Sequence, residues 1–122
     1  MVSRIFTGQL RRSCCLAGNS AVYEVSIRFT NPSIREQYIK WLSVRHIQEV
    51  LQFDGFVSAD LLKEVNSDDI VVKYILESPQ VYDAYNMSDT AKRLREEAID
   101  VFGKDSFTAS RRILVVNQQF FR

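Results

Sequence analysis

Cysteine, histidine and continuous apolar runs are all scarce in this chain, and each scarcity closes off a class of function. Of its 122 residues two are cysteines, and they are neighbours, Cys14 and Cys15. Adjacent cysteines bridge each other only with strain, so a disulfide framework is excluded and a reducing compartment fits. The single histidine, His46, is too little to build a zinc site with two distant thiols. Neither a metal nor a cofactor is expected. No apolar run approaches the roughly 18 residues that a spanning helix requires; the best, Ile113-Leu114-Val115-Val116, has the length of a strand. Glycine-rich phosphate loops, nucleophile elbows and separated carboxylate pairs are likewise missing. The catalytic vocabulary is nearly empty.

Net charge is low, +1 overall, yet unevenly spread. Residues 1–21 hold Arg4, Arg11 and Arg12 and no acid. Removing those three from the 16 basic residues leaves 13, against 15 acidic ones, in the remainder. The main body therefore lacks the positive field that draws a polyanion, and no nucleic acid is expected as partner.

The first 21 residues, MVSRIFTGQLRRSCCLAGNSA, combine arginines with hydroxyl and small residues. That is the composition of a mitochondrial import peptide; the plainer reading is an N-terminal tail on a cytoplasmic protein. Residues 22–116 read as one α+β domain, and residues 117–122 as an aromatic tail.

Within the domain, Tyr23, Val25, Ile27 and Phe29 alternate with Glu24, Ser26 and Arg28, the period-two pattern of a strand over 22–29 with one apolar face. Asn31-Pro32 then gives a cap followed by proline, opening a helix that ends near Gln52. Strands are expected over 56–65 and 70–76, joined as a hairpin by Asn66-Ser67-Asp68-Asp69, a solvated acidic turn. Ser78-Pro79 starts a short helix that breaks at Asn86, and Ser88 caps a longer one closed by Gly103. Lys92–Glu96 and Arg93–Glu97 are spaced for i,i+4 ion pairs on its wet side. A last strand covers 106–116.

The order is βαββαβ, the ferredoxin-like split pattern: a four-stranded antiparallel sheet with both helices on one face. The other face carries Glu24, Ser26 and Arg28 together with apolar groups from the remaining strands. Such a mixed surface fits a protein partner better than open water. A homodimer through the open sheet is expected, or else docking into a larger mitochondrial complex, with Glu24, Ser26 and Arg28 as docking candidates.

Several segments together resemble a known family. They are Tyr23-Glu24-Val25-Ser26-Ile27, Trp41-Leu42 followed by His46-Ile47, Gly55-Phe56, Tyr74 with Glu77-Ser78, Phe102-Gly103, and Arg111. Over residues 22–116 the chain is similar to the domain-of-unknown-function 4286 family, whose members look like dimeric α/β barrels. Gln48 stands where a proline usually follows the His-Ile pair, and the strand arginine is doubled as Arg111-Arg112. The resemblance implies fold and dimer but no established activity. Its structural relatives include cofactor-independent monooxygenases and stress-response barrels of unknown chemistry.

Individual residues carry two readings each. His46 shares a helix face with Leu42 and Val50; it is a candidate general base at a barrel pocket, or a half-buried histidine bonded to a carbonyl. Arg111 falls on the apolar side of its strand; it clamps an anion there, or pairs with an acid such as Glu24 or with a second subunit. Tyr23, Trp41 and Tyr74 line a pocket for a flat ligand, or are core. Phe120 and Phe121 dock onto a partner, or fold back on their own domain. The leading expectation is a non-catalytic interaction module, an accessory subunit of a mitochondrial assembly. The alternative is a cofactor-independent, monooxygenase-like enzyme or small-molecule binder that uses a barrel cavity near His46 and Arg111.

Overall fold

The computed structural model describes residues 20–122. The expected import leader therefore lies, but for its last two residues, outside the described residues.

Strand β1, Ala21–Phe29, occupies the centre of an antiparallel sheet of order β2-β3-β1-β4. Its partners are β3, Ile70–Leu76, and β4, Phe107–Val115, while β2, Phe56–Lys63, forms the far edge beyond β3. Strict alternation on β1 and β3 buries Ala21, Tyr23, Ile27, Ile70, Val72, Tyr74 and Leu76 on one face. Among the described residues helices cover that face alone, as right-handed crossovers require. The ferredoxin-like order expected from the sequence is the one observed, and the helices number more than two because each crossover is broken.

The first crossover begins with a 3-10 turn, Pro32–Ile34, in which Asn31 accepts the Ser33 N–H at 3.1 Å. It continues as α1, Arg35–Trp41, then a π-helical segment, Leu42–His46, then α2, Ile47–Val50. A single uninterrupted α-helix was the expectation, and the π segment corrects it. There the Ile47 N–H reaches back five residues to the Leu42 carbonyl, and the wider turn frees carbonyls from their usual partners. Side chains compensate: Gln48 Nε2 donates to the Ser43 carbonyl at 3.1 Å, and Ser43 Oγ to that of Ile39 at 2.9 Å. Gln48 thus supports the bulge.

The second crossover is α3, Pro79–Asn86, and α4, Asp89–Phe102. Ser88 caps α4 by accepting the Ala91 N–H, and Ala91, Leu94 and Ala98 turn its apolar stripe to the sheet. The expected ion pairs of Lys92 with Glu96 and Arg93 with Glu97 do not form. Glu97 instead meets Arg45 of the π segment at 3.0 Å, because the neighbouring helix brings a guanidinium closer than its own turn does. Asp69 of the hairpin turn pairs with Arg28 at 3.4 Å. Among the described residues no helix is long and apolar enough to cross a membrane.

Among the described residues two glycines take positive φ, Gly55 at 95° and Gly103 at 88°. A side chain on Gly55 would also run into Val81 Cγ2, where α3 sits on the turn, whereas Gly103 faces only the Ser106 hydroxyl at 3.4 Å. Gly55→Ala therefore adds a packing clash to backbone strain and should cost about 2–4 kcal/mol. Gly103→Ala bears the strain alone, about 1–2 kcal/mol. Urea unfolding of both variants checks the order; equal losses would contradict the Val81 contact.

Candidate functional site

A cavity of about 350 Å³ lies between the helices and the sheet, a volume at the lower end of small-molecule sites. Its floor is the helix-facing side of β1, β3 and β4, where the short side chains of Val25 and Ala109 leave room that aromatic residues fill elsewhere. Its walls come from the first helical run and from α3 and α4.

Five of the residues singled out from the sequence meet in this space: Tyr23, Trp41, His46, Tyr74 and Arg111. The readings that made them pocket or core are not exclusive, since Tyr23 and Tyr74 are 3% and 2% exposed and line the cavity as well. Their rings stack at 5.5 Å, while Tyr38 and Phe107 continue the aromatic layer under the first helix. Burial pushes the Tyr38 hydroxyl up to about 12 and that of Tyr74 higher still. Both stay protonated and neutral.

The π segment sets the next contact. Residues five apart on an ordinary α-helix differ in direction by about 140°, which would point Trp41 and His46 away from each other. Here the wide turn stacks the two rings at 4.5 Å, 28° from parallel. The chain's sole tryptophan and sole histidine thus share one wall. Trp41 Nε1 and His46 Nδ1 are both buried with no hydrogen-bond partner among the described residues. The carbonyl partner expected for a structural histidine is not there on Nδ1. Burial first, and the Arg111 guanidinium second, hold the His46 imidazole down at about 4, so it is neutral at pH 7. A neutral ring keeps one nitrogen free to accept a proton or a hydrogen bond.

Arg111 reaches the cavity from β4, where it stands opposite Val25. The pairing expected between Arg111 and Glu24 is corrected: Arg112 holds Glu24, Nε to Oε1 at 2.9 Å, on the other face of the sheet. Adjacent strand residues point to opposite faces, and cross-strand partners share one, so only Arg112 is on the side of Glu24. Arg111 has no ion-pair partner among the described residues.

The sequence reading passed over Tyr38, Tyr85, Arg95 and Lys104, which also line the cavity. For Arg95 a signal was present, because Ala91, Leu94, Arg95 and Ala98 follow the i, i+3, i+4, i+7 spacing of a buried stripe. Its guanidinium donates to Asn86 Oδ1 at 2.7 Å and lies 5.9 Å from the Tyr85 ring centre. The other docking candidates are elsewhere. Glu24, Ser26 and Arg28 lie on the uncovered sheet face, and Phe120 and Phe121 are 82% and 73% exposed in the tail.

The sequence matches the family described as domain of unknown function (DUF4286) over residues 20–117. No curated protein matches it. Among solved structures it is similar to a monooxygenase from Streptomyces coelicolor bound to nanaomycin D, with 15% identity, TM-score 0.63, and 84% of this chain and 92% of that one covered. SnoaB, a cofactor-independent oxygenase from Streptomyces nogalater, aligns with 15% identity and TM-score 0.58 over 83% of this chain and 96% of that one. A dimeric ferredoxin-like protein from an uncultured marine organism aligns with 16% identity and TM-score 0.59 over 84% and 99%. At such identities the likeness is one of fold. It nonetheless overturns the leading expectation from the sequence, an accessory subunit of a mitochondrial assembly. The neighbours include oxygenases, and none of those named here is a mitochondrial subunit. That expectation rested on the leader, the two extensions flanking the domain, the open sheet face and the missing catalytic motifs, none of which speaks against a cavity built from separate elements.

Holding His46 neutral makes stability depend on pH. The unfolded histidine, with its ordinary value of 6.5, takes up a proton before the folded one at about 4. The contribution is complete above pH 6.5 and is lost as pH falls toward 4, about 3 kcal/mol in all. Chemical denaturation of the wild type and His46→Gln at pH 7.5 and 4.5 should show the variant losing less; parallel losses would contradict a buried neutral ring.

Proposed function

We propose, for a chain that belongs to the DUF4286 family, a small-molecule function in the cavity: a cofactor-independent, monooxygenase-like enzyme acting on a flat, electron-rich substrate. The observation that carries this reading is the convergence of His46, Trp41, Tyr74 and Arg111 on one aromatic-walled cavity. Tyr23 and Tyr74 supply the flat surfaces on which a ring system packs. His46, unprotonated at working pH, takes a proton from an acidic C–H or O–H of the substrate, the anion formed beside it offsetting the Arg111 charge that otherwise disfavours the imidazolium. The resulting carbanion or phenolate is electron-rich enough to reduce dioxygen itself. At an activated methylene the balance is CH2 plus O2 giving C=O plus H2O, one oxygen atom retained and the other leaving as water.

Anthrone, whose methylene is acidified by its rings and carbonyl, is a suitable first probe. Oxygen uptake accompanied by anthraquinone formation is the expected result, with incorporation of one atom from labelled dioxygen. His46→Gln should lower the rate at least tenfold with an unchanged melting temperature at pH 7.5. A rate equal to the protein-free control, with nanaomycin D also failing to perturb Trp41 fluorescence, would remove the enzyme reading.

The same proposal includes a homodimer through the uncovered sheet face. Across that face the register aligns Asp60, Lys73, Glu24 and Arg112, a row alternating in sign. Ile75, Val22 and Leu114 flank it on one side, and Leu62 and Val71 on the other. Read backwards, the row is its own complement, so a two-fold axis along the strands sets each charge against its opposite and Ile75 against Val22 of the second copy. Light scattering should give twice the chain mass at micromolar concentration, and Val22→Glu should halve it. A single-chain mass for the wild type would contradict the dimer and leave the cavity reading intact.

A further inference from the structure

The charge of the cavity lining is one-sided. Arg95, Lys104 and Arg111 line it, and no aspartate or glutamate does. His46 is held neutral and Tyr38 and Tyr74 remain protonated, so nothing in the wall offsets the three cations. Nearby acids are engaged elsewhere: Glu24 with Arg112 across the sheet, and Glu97 with Arg45 on the helices. A neutral ligand would leave this field unused.

The cations are not equivalent. Arg95 is fixed by neutral groups, the Asn86 amide at 2.7 Å and the Tyr85 ring. Arg111 has neither a side-chain hydrogen bond nor an ion pair among the described residues. It projects from the cavity side of β4, between Ala109 and Ile113 in the alternation, and its positive charge is felt at His46, Tyr38 and Tyr85. Arg111 is itself exposed, and its planar fork of donors, with no acceptor among the described residues and with apolar and aromatic walls beside it, matches a carboxylate in shape and charge. The unpartnered Trp41 Nε1 and His46 Nδ1 supply polar groups on the adjoining wall.

We propose that the ligand of this cavity is an aromatic carboxylate, its rings packed on the Tyr23–Tyr74 stack and its carboxylate held by Arg111. This rests on the small-molecule reading of the cavity and narrows it from flat ligands in general to anionic ones. Arg111 is here a specificity-determining residue; its guanidinium selects the acid over a neutral molecule of the same shape.

The test compares 2-naphthoate with 2-naphthamide, which share rings and size and differ in charge. With a single tryptophan and a single histidine in the chain, one indole N–H resonance and one imidazole report the site without assignment of the rest. Titrations of the full chain at pH 7 should shift both signals. Naphthoate should bind roughly tenfold more tightly than naphthamide, as one charge-assisted bond predicts. Arg111→Gln should abolish that preference, while Arg93→Gln, on the exposed side of α4, should keep it. Equal affinities in the wild type, or a preference that survives Arg111→Gln, would overturn the anionic assignment and leave a small-molecule cavity standing. If neither probe moves either resonance, both the assignment and the cavity reading fall.

Discussion

The position of β1 between β3 and β4 is the constraint from which the site follows. Pairing on both edges locks its register, because a slip by one residue would exchange the two faces of the central strand. With Tyr23 opposite Tyr74 and Ile113, the aromatic floor faces the helices. In the same register Glu24 is set opposite Lys73 and Arg112 on the uncovered side. One alternation therefore produces two unlike surfaces, an aromatic one that must be roofed and a charged one that is self-complementary. The exposed Glu24–Arg112 pair adds little to stability, since surface ion pairs contribute at most about 1 kcal/mol. Its value is in specifying how a second sheet could lie against this one.

The roof is shaped by the π segment. A continuous α-helix across residues 35–50 would leave fewer carbonyls without their usual partners, and the Gln48 amide partly offsets that cost. What the wider turn gains is direction: Trp41 and His46 share a wall instead of pointing apart. Bulges of this kind recur at functional sites for the same reason, because they place a side chain where regular geometry does not reach. The buried, unpartnered nitrogens of both residues are then polar groups held ready in an otherwise apolar wall.

Charge separates the two arginines that the sequence writes side by side. Arg112 is neutralised by Glu24, whereas Arg111, one residue earlier, is turned to the cavity where no acid stands. Its field and the burial of His46 act in the same direction, keeping the imidazole uncharged. A ligand carboxylate would supply the missing countercharge, so the unbalanced charge and the hollow in the packing against the aromatic floor coincide.

Much of the fold was legible because it is written in local periodicity. Period-two runs gave the strands, Asn31-Pro32 and Ser88 gave the helix starts, and Gly103 gave the last helix end. The π segment had no such signature, since one extra residue per turn leaves the composition of a helix unchanged. The partner of Glu24 went to the wrong arginine until the register was known, and Arg95 hid in a stripe read as wholly apolar. The sequence by itself determined the order of the elements, the two faces of the central strand and the aromatic character of its inner side. Only the tertiary structure decided that there is a cavity and which charges surround it. Packing leaves a hollow where side chains from distant elements fail to meet, and that sum over separate segments has no period to read.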